Sequence, residues 1–340
     1  YQAFGFVGLN IITALMVTIA FLWIWKFIEG PLMLRSALLL LAAITSGVYW
    51  SARPQIMTFA LTGLFIHLLE RERSRDKSPL WIYFFVMALW GNLHGGFLIG
   101  FLLMGAYFGG ELLQIMIAMV RDPVGRIEVF NRNRPLLARY FTIVVISLFG
   151  ICLNPHGPSL LLYPFKTVSI GVLQDYIQEW QSPDFHMVEV QPFLWMIVLA
   201  FASFGMKKKP IHPVDYLLVL GFLLMSFWAA RNIAIFALAA IIPISRALTS
   251  IPFELKPKRP TKQVAPSVQI ILNSSLAILF LIAAIIKISI PANNEYNQEV
   301  LAETYPSGAM AYLKTSVSPG PIFNSYNWGA FLIWELYPEW

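Results

Sequence analysis

The sequence predicts an all-α integral membrane protein of about ten transmembrane helices, and three observations predict it. Hydrophobic residues make up 58% of the 340 and charged residues only 12%, whereas a soluble domain carries about 25% charge. Apolar segments close to the length of a bilayer span recur along the chain, whose mean hydropathy is +0.66, and helices are the elements that satisfy their own backbone in hydrocarbon. When these segments are taken as alternating spans, nineteen of the 24 Lys and Arg fall on one side.

The spans are placed at roughly 6–28, 34–50, 53–69, 79–93, 95–120, 140–154, 191–207, 214–230, 231–247 and 267–290. The sequence begins in a segment that already reads as membrane helix, and Lys26 and Arg35 flank the turn between the first two. Ser51-Ala52-Arg53-Pro54 separates the second from the third, and Gly95-Gly96 the fourth from the fifth. Several segments are shorter than the ~20 residues of a perpendicular span, which points to tilt, tight pairing or partial re-entry.

Charge decides the sidedness. One side collects Lys26 and Arg35; Arg71, Arg73, Arg75 and Lys77; Arg121, Arg126, Arg132, Arg134 and Arg139; Lys207, Lys208 and Lys209; and Arg246, Lys256, Lys258, Arg259 and Lys262. The other side keeps Arg53, Lys166, Arg231, Lys287 and Lys314. Lys and Arg are retained in cytoplasmic loops, so the basic side reads as cytoplasmic. The net charge of +6 is thereby accounted for without nucleic acid. Cys152, the one cysteine, excludes an intrachain disulfide and reads as a packing residue.

Two regions read as external. Residues 155–190 form a long loop, within which Ser159–Gln178 has helical apolar spacing suited to the membrane interface. Residues 291–340 form a tail with a helical stretch near Ser307–Thr315, read as the start of a soluble domain. The chain starts at Tyr1 within an apolar run and stops at Trp340 within an aromatic one, so it reads as a piece of a longer protein.

The unusual polar residues gather at the charge-poor ends. In order these are Ser51-Ala52-Arg53-Pro54-Gln55, Asn92-Leu93-His94-Gly95-Gly96, Asn154-Pro155-His156-Gly157-Pro158, Glu179-Trp180-Gln181-Ser182-Pro183-Asp184-Phe185-His186 and Ala230-Arg231-Asn232. Ionisable groups near a bilayer usually face a cavity or one another, so five such ends on one side predict a shared polar pocket. The forked guanidinium groups of Arg53 and Arg231 suit phosphate; snorkelling to headgroups or capping helix ends is the structural alternative. His94 and His156 suit sugar hydroxyls or a leaving phosphate, or are turn residues satisfied locally. Glu179, Asp184 and His186 are the acid–base candidates, against a polar loop anchored by Trp180. The histidine spacing carries no metal signature, and His67 and His212 receive no role.

This succession of motifs resembles a group of bacterial multi-pass membrane proteins that is itself similar to the GT-C glycosyltransferase superfamily, over most of the chain. Tyr305-Pro306-Ser307-Gly308-Ala309-Met310-Ala311-Tyr312-Leu313-Lys314 looks like the helix that opens the soluble domain of oligosaccharyltransferase catalytic subunits. Ser325-Tyr326-Asn327-Trp328-Gly329 then falls where those proteins carry Trp-Trp-Asp-Tyr-Gly, with Asn327 in place of the Asp. The resemblance implies a GT-C-like fold and a polyprenyl-phosphate-linked sugar donor used on the extracytoplasmic face of a bacterial cytoplasmic membrane. It also implies an acidic motif in a first external loop, expected upstream of Tyr1. Arg53, Asn92, His94, Asn154, His156, Arg231, Asn232, Tyr326, Asn327 and Trp328 are the substrate-binding candidates, with membrane lipids and the lipid-linked donor as partners; no cofactor is specified. A lipid or sugar transporter and a non-catalytic envelope scaffold are the competing readings.

Overall fold

A computed structural model describes residues 5–171, 177–208, 210–251, 265–316 and 320–338. Every described element is helical. In chain order these are α1 (Gly5–Trp25), α2 (Leu32–Ser46), α3 (Gln55–Arg73), α4 (Leu80–Leu93), α5 (Leu98–Arg121), α6 (Arg126–Ile151), the short α7 (Tyr163–Val168), α8 (Gln191–Met206), α9 (Pro213–Trp228), α10 (Ile233–Thr249), α11 (Pro266–Ala292), α12 (Asn294–Thr304), α13 (Ser307–Ser316) and α14 (Gly329–Leu336). Single 3-10 turns precede α5, α8, α10 and α14. Among the described residues, six helical stretches are long and apolar enough to cross a membrane, and α4 and α9 are shorter apolar helices. The protein has the helices of an integral membrane protein.

The chain divides into two compact units, one of residues 12–256 and one of residues 1–11 with 257–340. The last predicted span therefore groups with the tail rather than with the helices before it. In the larger unit α10 is the central element. Some 78% of its apolar window is buried, against 28–39% in the other five long apolar stretches. Its small and β-branched side chains from Ile233 to Ile244 are all buried, so neighbours pack on every face. Close approach elsewhere depends on glycine: a side chain on Gly110 would meet the Val214 backbone at 2.6 Å, and one on Gly63 the Ala20 carbonyl at 2.6 Å. Cys152 is a half-buried packing residue, as its apolar setting predicts. The smaller unit has its own apolar contacts, with Met310, Leu332 and Leu336 buried and Tyr305 stacked on Phe331.

Several element boundaries differ from the sequence reading. Residues 126–139, predicted as a loop, are the first half of α6, which continues through Pro135. The predicted interfacial helix over 159–178 is a 3-10 segment, Gly157–Leu162, followed by α7; residues 172–176 lie outside the described residues.

The predicted basic loops hold a second difference. Arg73, Arg139 and Arg246 are helical residues whose guanidinium groups turn inward onto buried carboxylates. Asp215, at the start of α9, accepts from Arg73 at 2.7 and 3.0 Å and from Arg246 at 2.8 Å. Arg246 also bonds Glu70, which is fully buried and accepts the Tyr107 hydroxyl at 2.7 Å. Arg139 pairs with buried Glu72, which accepts from the Ser78 amide at 2.8 Å and the Tyr83 hydroxyl at 3.1 Å. The network spans α3, α4, α5, α6, α9 and α10 and reaches Glu29 in the α1–α2 turn. Lys209, Lys256, Lys258, Arg259 and Lys262 lie outside the described residues.

His212 belongs to this end. Its Nδ1 accepts the Val214 amide as the cap of α9, and its Nε2 lies 3.7 Å from Glu111. Burial, with Arg73 nearby, pushes its pKa down to about 4.

Asp215→Ala takes from Arg73 its two hydrogen bonds and from Arg246 one of its carboxylates, leaving both to share Glu70, and loss of a buried ion-pair partner costs about 3–5 kcal/mol. The unfolding temperature of the detergent-solubilised chain should fall sharply; an unchanged temperature would remove the network from the fold's support. For His212, the folded chain resists a proton that the unfolded chain accepts. Stability should decline as pH falls from about 6.5 to about 4, with no His212 contribution above that window and no further loss below it. His212→Gln should flatten that part of the profile, measured as unfolding temperature against pH.

Candidate functional site

The opposite end of the larger unit carries the polar motifs, and turns rather than buried ion pairs hold it. The α4–α5 turn is built on His94, the cap residue of the 3-10 turn Gly95–Phe97. His94 Nδ1 lies 2.8 Å from the Thr58 hydroxyl and accepts the Gly96 amide at 3.1 Å. The Thr58 oxygen in turn accepts the indole N–H of Trp90 at 3.0 Å. The two glycines make this possible. A Cβ on Gly96 would lie 2.5 Å from the Thr58 hydroxyl and 2.9 Å from His94 Nδ1, and one on Gly95 would lie 2.5 Å from the Tyr163 ring.

Asn92 and Asn154 fasten neighbouring turns. The Asn92 amide donates to the Ala88 carbonyl at 2.8 Å and to the Leu153 carbonyl at 2.7 Å, joining the ends of α4 and α6. The Asn154 amide donates to Ile151 and Gly157 carbonyls, and its oxygen accepts the His156 amide at 2.7 Å. Gly157 takes φ +55 in that turn. The His156 ring is exposed, and its carbonyl accepts the Ser159 hydroxyl.

The 177–190 segment is pinned at three points. Trp180 is buried beneath the Arg231 guanidinium, whose carbon lies 3.4 Å from the ring centroid. The Ala230 amide donates to the Gln181 carbonyl at 2.9 Å. Phe185 stacks on Phe193 at 5.9 Å, and the Gln191 amide donates to the Phe185 carbonyl. Arg53 reaches across to Glu179 at 3.3 Å, an exposed pair and therefore a weak one. Next to Trp180, an open cavity of about 570 Å³ is lined by Trp180, Gln181, Ser182, Leu224, Phe227 and Trp228.

The structure thus joins Arg53 to Glu179 and stacks Arg231 on Trp180. Tyr49, Tyr163, Glu179 and His94 lie close enough to Arg231 to interact electrostatically. Burial, and then the Arg231 charge, hold the His94 imidazole below its usual pKa. Among the described residues, no hydrogen bond or ion pair takes the Arg231 guanidinium.

Other candidates have local partners. Asp184 accepts from the amide and ring nitrogen of His186, both at 2.9 Å, and that contact holds its carboxyl below the usual range. No hydrogen bond among the described residues joins Asp184 or His186 to Arg53, His94 or Arg231. Asn232 donates to the Met225 carbonyl at 2.9 Å, closing the α9–α10 turn. Tyr326, Asn327 and Trp328 form the 3-10 turn before α14 in the smaller unit. Asn327 and Trp328 are exposed, and the Tyr326 side chain lies outside the described residues.

Sequence reasoning missed Thr58 and Trp90, which sit in apolar runs with nothing to single them out. Among the described residues, no group of His, Cys, Asp and Glu is placed to hold a metal. No protein-family model, curated protein or solved structure matches the chain.

Gly96→Ala tests the turn. Its methyl group must displace Thr58 or His94, and forced overpacking costs about 1–3 kcal/mol. A matching drop in unfolding temperature is expected, whereas a neutral Gly96→Ala would show that the turn relaxes freely.

Proposed function

We propose that the charge-poor end of the larger unit binds the phosphate of a polyprenyl-phosphate-linked sugar, and that the protein is a GT-C-like membrane glycosyltransferase. One observation carries this reading: Arg231 presents a half-buried guanidinium fixed on Trp180, with no carboxylate paired to it among the described residues. A cation held in a partly dry place with no carboxylate in direct contact is a ready partner for an anion, and its fork matches phosphate oxygens. The basic ends opposite support a cytoplasmic placement for themselves and an extracytoplasmic one for Arg231. The ten-span reading takes α4 and α9, about 21 and 24 Å long at 1.5 Å per residue, together with α3 and α11, as spans beside the six long apolar stretches.

In the reaction proposed, an acceptor hydroxyl or amide attacks the anomeric carbon of the lipid-linked sugar. The bond to the phosphate oxygen breaks, and the polyprenyl phosphate leaves with its electron pair. Arg231 offsets the charge that develops there. Glu179, beside Arg53, takes the proton that the acceptor loses as the new glycosidic bond forms. The aromatic lining of the adjoining cavity, with Gln181 and Ser182, provides stacking faces and polar edges for a sugar ring.

The test is sugar transfer from a labelled polyprenyl-phosphate donor in proteoliposomes. Arg231→Ala should lower turnover by about 10²–10³, the scale for losing a transition-state donor, while expression and unfolding temperature stay near wild type. Unaltered turnover removes Arg231 from the site. Movement of the labelled donor across the bilayer without any product would replace transfer with transport.

A further inference from the structure

We infer that His94 presents a fixed Nε2–H donor at the charge-poor end, and that Thr58 and Trp90 are the positioning residues that set it. Hydrogen-bond direction fixes where the ring proton sits. An indole N–H can only donate, so the 3.0 Å bond from Trp90 fills one acceptor site on the Thr58 oxygen. The single proton of that hydroxyl is then free to point at His94 Nδ1, 2.8 Å away. The Gly96 amide, which also can only donate, reaches the same Nδ1 at 3.1 Å. Two donors converging on one ring nitrogen require a lone pair there. The ring proton of neutral His94 must therefore sit on Nε2.

The supports of this arrangement are dry. Trp90 is fully buried and Thr58 is 1% exposed, so water does not compete for either bond. Nε2 has no hydrogen-bond partner among the described residues, and the ring is half-buried near Arg231. A proton added to Nδ1 would face the Gly96 N–H, which cannot turn away. His94 is therefore a donor to an oxygen acceptor at neutral pH, and not the base of the reaction. That the acceptor is a phosphate oxygen rests on the function proposed above; the tautomer does not.

A purely structural role is separable by substitution. Asparagine places an acceptor where Nδ1 stands and still caps the turn, but it has no donor at the Nε2 position. Glutamine extends an amide N–H toward that position. The experiment uses the whole chain labelled with ¹⁵N-histidine in detergent, with nitrogen chemical shifts read against pH. The expected result is a single Nε2–H tautomer for His94, persisting below the ordinary histidine pKa. Thr58→Val leaves the Gly96 amide as the one remaining donor to Nδ1, so the Nε2–H form should stay dominant while a minor Nδ1–H fraction appears. An Nδ1–H signal in the wild type overturns the inference, and an unaltered tautomer in Thr58→Val removes Thr58 from the positioning role.

Binding of a polyprenyl monophosphate in mixed micelles is the second readout. His94→Asn should keep the unfolding temperature and weaken binding about tenfold or more, the scale of a hydrogen bond to a charged group. His94→Gln should recover part of that loss. Wild-type affinity in His94→Asn overturns the donor's contact with the phosphate. A wild type that takes no polyprenyl phosphate sinks the glycosyltransferase reading instead, and the tautomer measurement still decides the inference.

Discussion

Asp215 lies between the guanidinium groups of Arg73 and Arg246, and Arg246 also holds the fully buried Glu70. In an apolar interior none of these four charges is tolerable alone. Their mutual pairing fixes which end of α3 meets which ends of α9 and α10. The Tyr107 hydroxyl on Glu70 draws in α5, and the Arg139–Glu72 pair draws in α6 and the start of α4. Van der Waals packing between apolar helices discriminates weakly among rotations and registers. A set of charges that must meet discriminates strongly, because a helix displaced by one turn leaves a carboxylate unpaired.

The two ends of the larger unit are therefore built on different physics. One is saturated with charge pairs, and the other is held by neutral hydrogen bonds within turns, by glycine contacts and by aromatic stacking. α10 links them, carrying Arg246 near its last turn and following directly on Arg231. Fifteen residues at 1.5 Å each separate the two by about 22 Å. Because α10 is enclosed on all sides, it cannot slide or rotate independently of its neighbours. The ion pairs at one end thus set where the unpaired guanidinium stands at the other.

Much of the fold was legible as apolar length and loop charge. The turns at Arg53, His94, Asn154 and Arg231 fall where the motifs placed them, and Trp180 anchors its loop. What could not be read was pairing across distance. Glu70 and Asp215 are 145 positions apart, and nothing local marks them as sharing Arg246. Charge close to an apolar segment was read as loop charge, which placed Arg132, Arg134 and Arg139 outside the helix that contains them. At the charge-poor end the ionic residues stood out in the sequence and their supports did not. Thr58 is one hydroxyl in an apolar helix, and its importance arises from Trp90 and His94, both brought to it by folding. Asp184 and His186 show the reverse, because an Asp two positions before a His satisfies itself locally and needs no ligand to explain it.

The burial of α10 also bears on how the chain is made. Its residues emerge after those of α1 to α9, yet the finished fold encloses it among them. Until α10 arrives, the earlier helices surround an unfilled apolar groove, and Glu70 and Asp215 lack one of their two arginines. The centre of the larger unit is therefore incomplete until this helix is made. The interior becomes fully packed and charge-balanced only once this late helix, with Arg246 in its last turn, has joined the others.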